Sequence, residues 1–177
     1  MDTLAPTHAT RKPLDLGELR SLAVATTGFA ALGLVAGLGS DDPASTIPAA
    51  LLVDVGALAL TAPALLVLHQ YLGLEASPAD LASAMGTAYV RAGNLALGLT
   101  PFLLFFSATS GLAAGLFALL LAVVGGSALI VAAKGMVAAH DDRTRLGVLK
   151  LRGLLLTWCG LTVLIGLRIG LSTLGGV

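Results

Sequence analysis

The chain has 177 residues, 56% of them hydrophobic and 11% charged, with a formal net charge of zero and a mean hydropathy of +0.95. A soluble globular domain is about one-quarter charged, and a fold of this length has too little interior to hide so much apolar surface, so the composition points to lipid as the solvent. The zero net charge calls for no acidic or basic partner, no basic patch with interleaved aromatics suggests nucleic acid, and a single cysteine, Cys159, excludes an internal disulfide.

Residues 1–18 form a polar N-terminal segment with Pro6 and Pro13, in which Leu14, Leu16, Leu19 and Leu22 can lead a short interfacial helix into the membrane. Arg11 and Lys12 followed by an apolar run resemble a secretion signal. The charged lead is long and contains Asp15 and Glu18, and no A-x-A site follows, so the first helix is expected to stay uncleaved. The first span is predicted over 19–38, with a turn at Gly39-Ser40-Asp41-Asp42-Pro43, and the second over 48–68. Ser77-Pro78-Ala79-Asp80 reads as a helix start, with Ser as N-cap, Pro in the first helical position and an acid in the first turn. That helix is predicted to cross the hydrocarbon over 88–107. Ser107 to Gly111 reverses the chain, a fourth span covers 112–133, His140-Asp141-Asp142-Arg143 is a polar loop, and a fifth span covers 154–174. Each span has about 20 residues, enough at about 1.5 Å per residue to cross about 30 Å of hydrocarbon. The expected fold class is therefore all-α: one five-helix transmembrane domain over 19–177.

Orientation follows from the cations. Five spans collect Arg11, Lys12, Arg20, Arg91, Lys134, Arg143, Arg145, Lys150 and Arg152 on one side, which is nine of the ten Lys and Arg residues. Positive residues are retained in the cytoplasm, so the N-terminus is expected inside and the C-terminus outside. Tyr71 and Tyr89 fall at the same inner boundary, where amphipathic rings are favoured. The 22 glycines and the wealth of Ala and Leu suit membrane helices and GC-rich genomes, so the expected setting is a bacterial cytoplasmic (inner) membrane.

The intramembrane polar residues are the candidate sites. Asp54 and Arg168 each lie about six residues from the outer end of their span, at a depth of roughly 9 Å. An unpaired charge costs roughly 2.5–3.5 kcal/mol at the bilayer centre, less nearer the edge. An Asp54–Arg168 ion pair joining spans two and five is therefore expected, as a structural clasp, as two side chains snorkelling separately, or as a gate or proton site; Asp41 and Asp42 are rival partners for Arg168. Pro63 and Pro101 each free a backbone carbonyl and are expected to kink spans two and three. Thr61 lies seven residues after Asp54 and so on its face, and Asn94 shares a face with Pro101 by the same spacing. Asn94 is expected to hydrogen-bond a neighbouring helix.

His69 and His140 end on the cytoplasmic side near Glu75, Asp80, Asp141 and Asp142. None of them has tight ligand spacing, so they read as solvated loop polarity, and no metal is expected. No histidine pair is expected to face across the spans, which leaves haem unsupported. No Walker loop, dinucleotide fingerprint, C-x-x-C, H-E-x-x-H or G-x-S-x-G is present, so no cofactor is expected. The three G-x-x-x-G pairs, Gly33/Gly37, Gly111/Gly115 and Gly166/Gly170, match what 22 glycines give by chance and point to close packing within the bundle.

In layout the chain resembles the small five-span membrane families of the Yip1-like type. The likeness covers spans one to five and rests on a cytoplasmic N-terminus, an external C-terminus and the stretches Val53-Asp54 to Leu72 and Arg91 to Thr109. The turns Asp-Leu-Tyr-Gly-Pro and Gly-Tyr-Gly that mark eukaryotic Yip1 proteins are absent, and no functional residue is carried over. Three functions stay open. The first is a non-catalytic membrane subunit or scaffold that meets other membrane subunits or copies of itself in the bilayer. The second is an oligomeric channel or small transporter using Asp54, Thr61 and Asn94. The third is a lipid-acting enzyme, which requires Asp54 or the His69/His140 groups to converge in one pocket.

Overall fold

A computed structural model describes residues 16–38, 43–74, 76–110, 113–140 and 144–174. The segment 1–15, the Asp41-Asp42 turn, Glu75 and 141–143 lie outside the described residues. The described chain contains helices and no strand: α1 (Leu16–Gly37), α2 (Pro43–Leu51), a π-helical turn (Leu52–Gly56), α3 (Ala57–Tyr71), α4 (Pro78–Thr109), α5 (Ala113–Ala138) and α6 (Arg145–Leu174). The segments α2, the π turn and α3 follow one another without a break. The described residues thus contain five helices long and apolar enough to cross a membrane, which makes this an integral membrane protein.

The helices outrun the predicted spans at their polar ends. α4 has 32 residues, or about 48 Å at about 1.5 Å per residue, so its first turns exceed the hydrocarbon thickness. Its start follows the sequence: Ser77 Oγ accepts from the Asp80 amide at 3.2 Å, and the Asp80 carboxylate accepts from the Ser77 amide at 3.1 Å. This reciprocal capping box satisfies two amide donors that the first turn leaves free. α6 begins at Arg145 rather than near Leu154, because its first turns already carry a helical face: Gly147, Leu151, Leu154, Leu155 and Trp158 are buried while Leu146, Leu149, Lys150 and Arg152 are exposed. Lys150 Nζ donates to the Leu72 carbonyl at 3.3 Å, so α6 supplies a cation to the C-terminal end of α3. α3 itself ends in a Schellman motif. Gly73 has φ of 65°, its amide donates to Gln70 O at 3.0 Å, and the Leu74 amide donates to His69 O at 3.3 Å. Both Pro63 and Pro101 lie inside continuous helix with their side chains exposed.

Packing divides the bundle. α1 lies along α4, α4 along α5, α1 along α2, and α3 along α6, whereas α5 and α6 barely touch. The α1–α4 seam has no room for side chains at its centre. A carbon added at Gly28 would land on the Gly93 carbonyl, and one added at Gly93 would land on the backbone of Ala25. Ala88, Ala92 and Ala96 continue the small face of α4 at four-residue spacing. Beside this seam Tyr89 stacks on Phe29 with ring centroids 5.6 Å apart, and its hydroxyl shares a 2.6 Å hydrogen bond with Thr26 Oγ1. One buried cluster gathers Phe29, Leu32, Leu103, Phe117 and Val124, and a second gathers Leu65, Leu81, Met136, Leu154 and Trp158.

The seam is testable. Gly93→Ala, which pushes α1 away from α4, is expected to lower stability by about 1–3 kcal/mol. Gly98→Ala adds its carbon where nothing lies within 4 Å and should change stability by less than about 0.5 kcal/mol. Unfolding in detergent followed by circular dichroism measures both.

Candidate functional site: a carboxylate in an intramembrane cleft

Because α5 follows α4 and α6 follows α3, the two helices diverge and leave a cleft of about 500 Å³ between them. Its walls are Val53, Asp54, Ala57 and Leu58 from the π turn and α3, the face of α5 from Ala118 to Leu129, and the face of α6 from Thr162 to Leu171. Small residues dominate, among them Ala118, Ala122, Gly125, Gly126, Gly166 and Gly170. The volume lies within the range of small-molecule sites, about 300–1,000 Å³.

Asp54 is the one ionisable residue in that lining. It sits within the π turn, whose N-terminal flank, Leu51, and C-terminal flank, Ala57, both keep right-handed helical backbone, so the turn is an insertion into a running helix and not an end. A π turn widens the helix by one residue and re-aims the side chains it carries; such turns are rare and concentrate at functional sites. Asp54 Oδ2 is buried without a hydrogen-bond partner. Oδ1 lies against α5, and an added carbon at Gly125 would sit 2.7 Å from it. Gly125 therefore leaves the space that the carboxylate occupies, and any larger residue there would displace it.

The expected Asp54–Arg168 pair does not form. Oδ2 has no partner, and Arg168 is exposed on α6. The reason is azimuth. The α6 residues that face the cleft are Thr162, Val163, Gly166, Leu167, Gly170 and Leu171. At about 100° per residue, Arg168 stands about 200° around from Gly166, so matched depth does not become contact.

The remaining candidates separate. Thr61 is fully buried, and its Oγ1 lies 3.0 Å from Thr162 Oγ1 and 2.9 Å from Ala57 O, while Thr162 Oγ1 lies 2.8 Å from Trp158 O; with one proton apiece, one hydroxyl donates across to the other and the other donates to its own helix. Thr162 lines the cleft and Thr61 does not, so the threonine pair closes the wall behind it and fastens α3 to α6. Asn94 and Pro101 do share a face of α4, but it is the outward one, and Asn94 is exposed with no hydrogen bond to a neighbouring helix. Both histidines, expected in solvated loops, are buried: His69 is 2% and His140 5% exposed, and their rings face each other. They lie apart from the cleft that Asp54 lines, so the carboxylate and the two imidazoles occupy separate places in the bundle.

Sequence reasoning missed the π turn, Gly125 and the facing histidines. An acid inside an apolar run is the only signal that the segment is unusual, and Gly125 looks like any other glycine of a membrane helix. Comparison with protein-family models, with curated proteins and with solved structures finds no match.

The unpaired carboxylate has a measurable consequence. If Asp54 were clasped by Arg168, removing either partner would cost several kcal/mol. With Asp54 unpartnered, Asp54→Asn is expected to stabilise the detergent-solubilised protein by about 1–3 kcal/mol, and Arg168→Ala to change it by less than about 0.5 kcal/mol. Thermal unfolding of the two single variants reads both values.

Proposed function

We propose that this chain is a small membrane carrier or receptor that binds an apolar molecule bearing one cationic or hydrogen-bond-donating group in the cleft between α3, α5 and α6. The observation that carries the reading is Asp54 Oδ2, buried without a partner on the wall of an otherwise apolar cavity of about 500 Å³. A carboxylate in hydrocarbon is costly and is kept where a substrate, ion or counter-ion meets it. A predominantly apolar pocket with one convergent polar group fits a ligand whose body is excluded from water and whose single polar group fixes its orientation. The N-terminus is cytoplasmic, the C-terminus outside, and the setting a bacterial inner membrane; nine of ten cations on one side support the first two and composition supports the last. In that orientation Asp54 lies in the outer half of the bilayer, and the cleft is loaded or emptied from the outer side. The likeness to Yip1-like families remains one of five-span layout.

Tetraphenylphosphonium is a suitable probe, being an apolar body with one delocalised positive charge. The wild-type chain in lipid nanodiscs is expected to bind it saturably, and Asp54→Asn to weaken binding by about tenfold or more, which is about 1.4 kcal/mol. A neutral probe of the same size should bind both forms alike. Absence of saturable binding, or equal affinity in the wild type and the variant, overturns the reading.

A second reading, a membrane subunit that assembles with partners or with itself, is favoured by Asn94. An exposed carboxamide on a membrane helix has no solvent to bond, and Asn is a strong driver of helix association in lipid. Gly98, one turn further along, is also exposed and leaves room for a close partner. Asn94→Leu is expected to convert an associated form into a smaller one, with a loss of association of about 0.6–2 kcal/mol. Mass measurement of the detergent complex by light scattering distinguishes the two states.

A further inference from the structure

His69 and His140 carry chemistry that the cleft does not use. His69 lies in the last turn of α3, held by the Schellman motif that its own carbonyl helps to form. His140 lies just past α5, its amide bonded to Val137 O at 3.3 Å. The two rings meet at a centroid separation of 6.1 Å and an interplanar angle of 84°. Both are more than nine-tenths buried, and His69 Nε2 and both ring nitrogens of His140 lack any hydrogen-bond partner. Buried polar atoms without partners are uncommon, and a bound ion is one of the ways in which their desolvation is repaid. A neutral imidazole offers one bare nitrogen lone pair, which is the metal-binding form.

We propose that His69 and His140 together hold one divalent transition-metal cation of the zinc class. The spacing is close. An ion held at about 2.0–2.1 Å from one nitrogen of each ring sits about 3.2 Å from each ring centre, so at the tetrahedral angle two rings sharing it have centres about 5.2 Å apart. From the observed 6.1 Å the two rings close by about 0.9 Å to grip the ion. Imidazole selects Zn, Cu, Fe or Ni over Mg or Ca, which prefer oxygen. Among the described residues no group of three or more His, Cys, Asp or Glu is assembled. Among the described residues the ion thus takes two protein ligands, His69 and His140. It also ties the end of α3 to the end of α5, two helices that meet little elsewhere. This site is independent of the Asp54 cleft.

The test uses the full chain purified with a tag free of histidine, stripped with chelator and titrated with Zn²⁺ by calorimetry. One ion per chain is expected. His69→Gln and His140→Gln should each weaken binding by about tenfold or more, and the double variant should abolish it. His8→Gln, at the remaining histidine of the three, should bind as the wild type does. X-ray absorption at the zinc edge of the unaltered chain gives a readout that needs no variant, with two imidazole nitrogens expected at about 2.0–2.1 Å. A wild-type chain that binds no zinc saturably, a double variant that binds it unchanged, or an absorption spectrum without imidazole scattering overturns the proposal.

Discussion

Lipid offers no hydrogen bond, so a polar group inside the spanning helices is costly unless it finds its partner within the protein. The helices follow from that constraint for the backbone, and the same constraint governs the side chains. Ser21, Thr26, Thr27, Thr100 and Thr109 each return their hydroxyl to the carbonyl four residues earlier, and within the Thr61–Thr162 pair one hydroxyl does so while the other donates across. Such back-bonding makes a hydroxyl cheap inside an apolar helix. The polar residues that cannot do this stand out against that background. A carboxylate accepts but cannot donate. Asp54, His69 and His140, together with Ser107 Oγ and Trp158 Nε1, are left with buried, unpartnered atoms, and the first three are the residues around which the two proposed sites are built.

The cleft arises from how the helices pair. The glycine contact between Gly28 and Gly93 draws α1 onto α4, and α4 also carries α5. The threonine pair draws α3 onto α6. Two tight partnerships leave a seam where α5 faces α6, and neither glycine contacts nor hydrogen bonds close it. Asp54 projects into that seam from a π turn. A regular α-helix through 52–56 would keep seven-residue spacing between Asp54 and Thr61 and hold both on one face. The inserted residue breaks that register: Asp54 faces the cleft while Thr61 faces α6.

The parts of the fold legible in the sequence were those set by one helix at a time. Helix number and the Ser77 cap depend on local composition and a constant rise per residue, and both are legible in it. What was not legible depends on rotation about the helix axis. Counting residues along each span sets Asp54 beside Arg168, but Arg168 faces away from the α6 stripe that lines the cleft. Asn94 was placed toward a neighbour and faces outward for the same reason. His69 and His140 are far apart in the chain and belong to different helices, so nothing local announces that their rings meet. Membrane helices blunt the usual remedy, since an apolar exterior removes the contrast between inward and outward faces that reveals rotation in a soluble helix.

The glycines separate packing from cavity. Glycine within a helix costs roughly 0.5–1 kcal/mol relative to Ala in water, but membrane helices carry it more freely, and at Gly86, Gly98, Gly115, Gly153 and Gly160 nothing lies within 4 Å of an added carbon. At Gly28, Gly33 and Gly93 the reason for glycine is contact, since an added carbon at each would strike backbone atoms of a neighbouring helix. At Gly125 it is the carboxylate of Asp54. Gly166 and Gly170 differ: the nearest atoms to an added carbon lie 3.7 and 3.9 Å away, and at Gly126 nothing lies within 4 Å. Alanine would fit at all three without a clash, so close helix packing does not explain them. All three line the cleft, and their missing side chains are open volume beside the only carboxylate in its wall. That volume is the space which the proposed apolar, donor-bearing ligand would occupy beside Asp54.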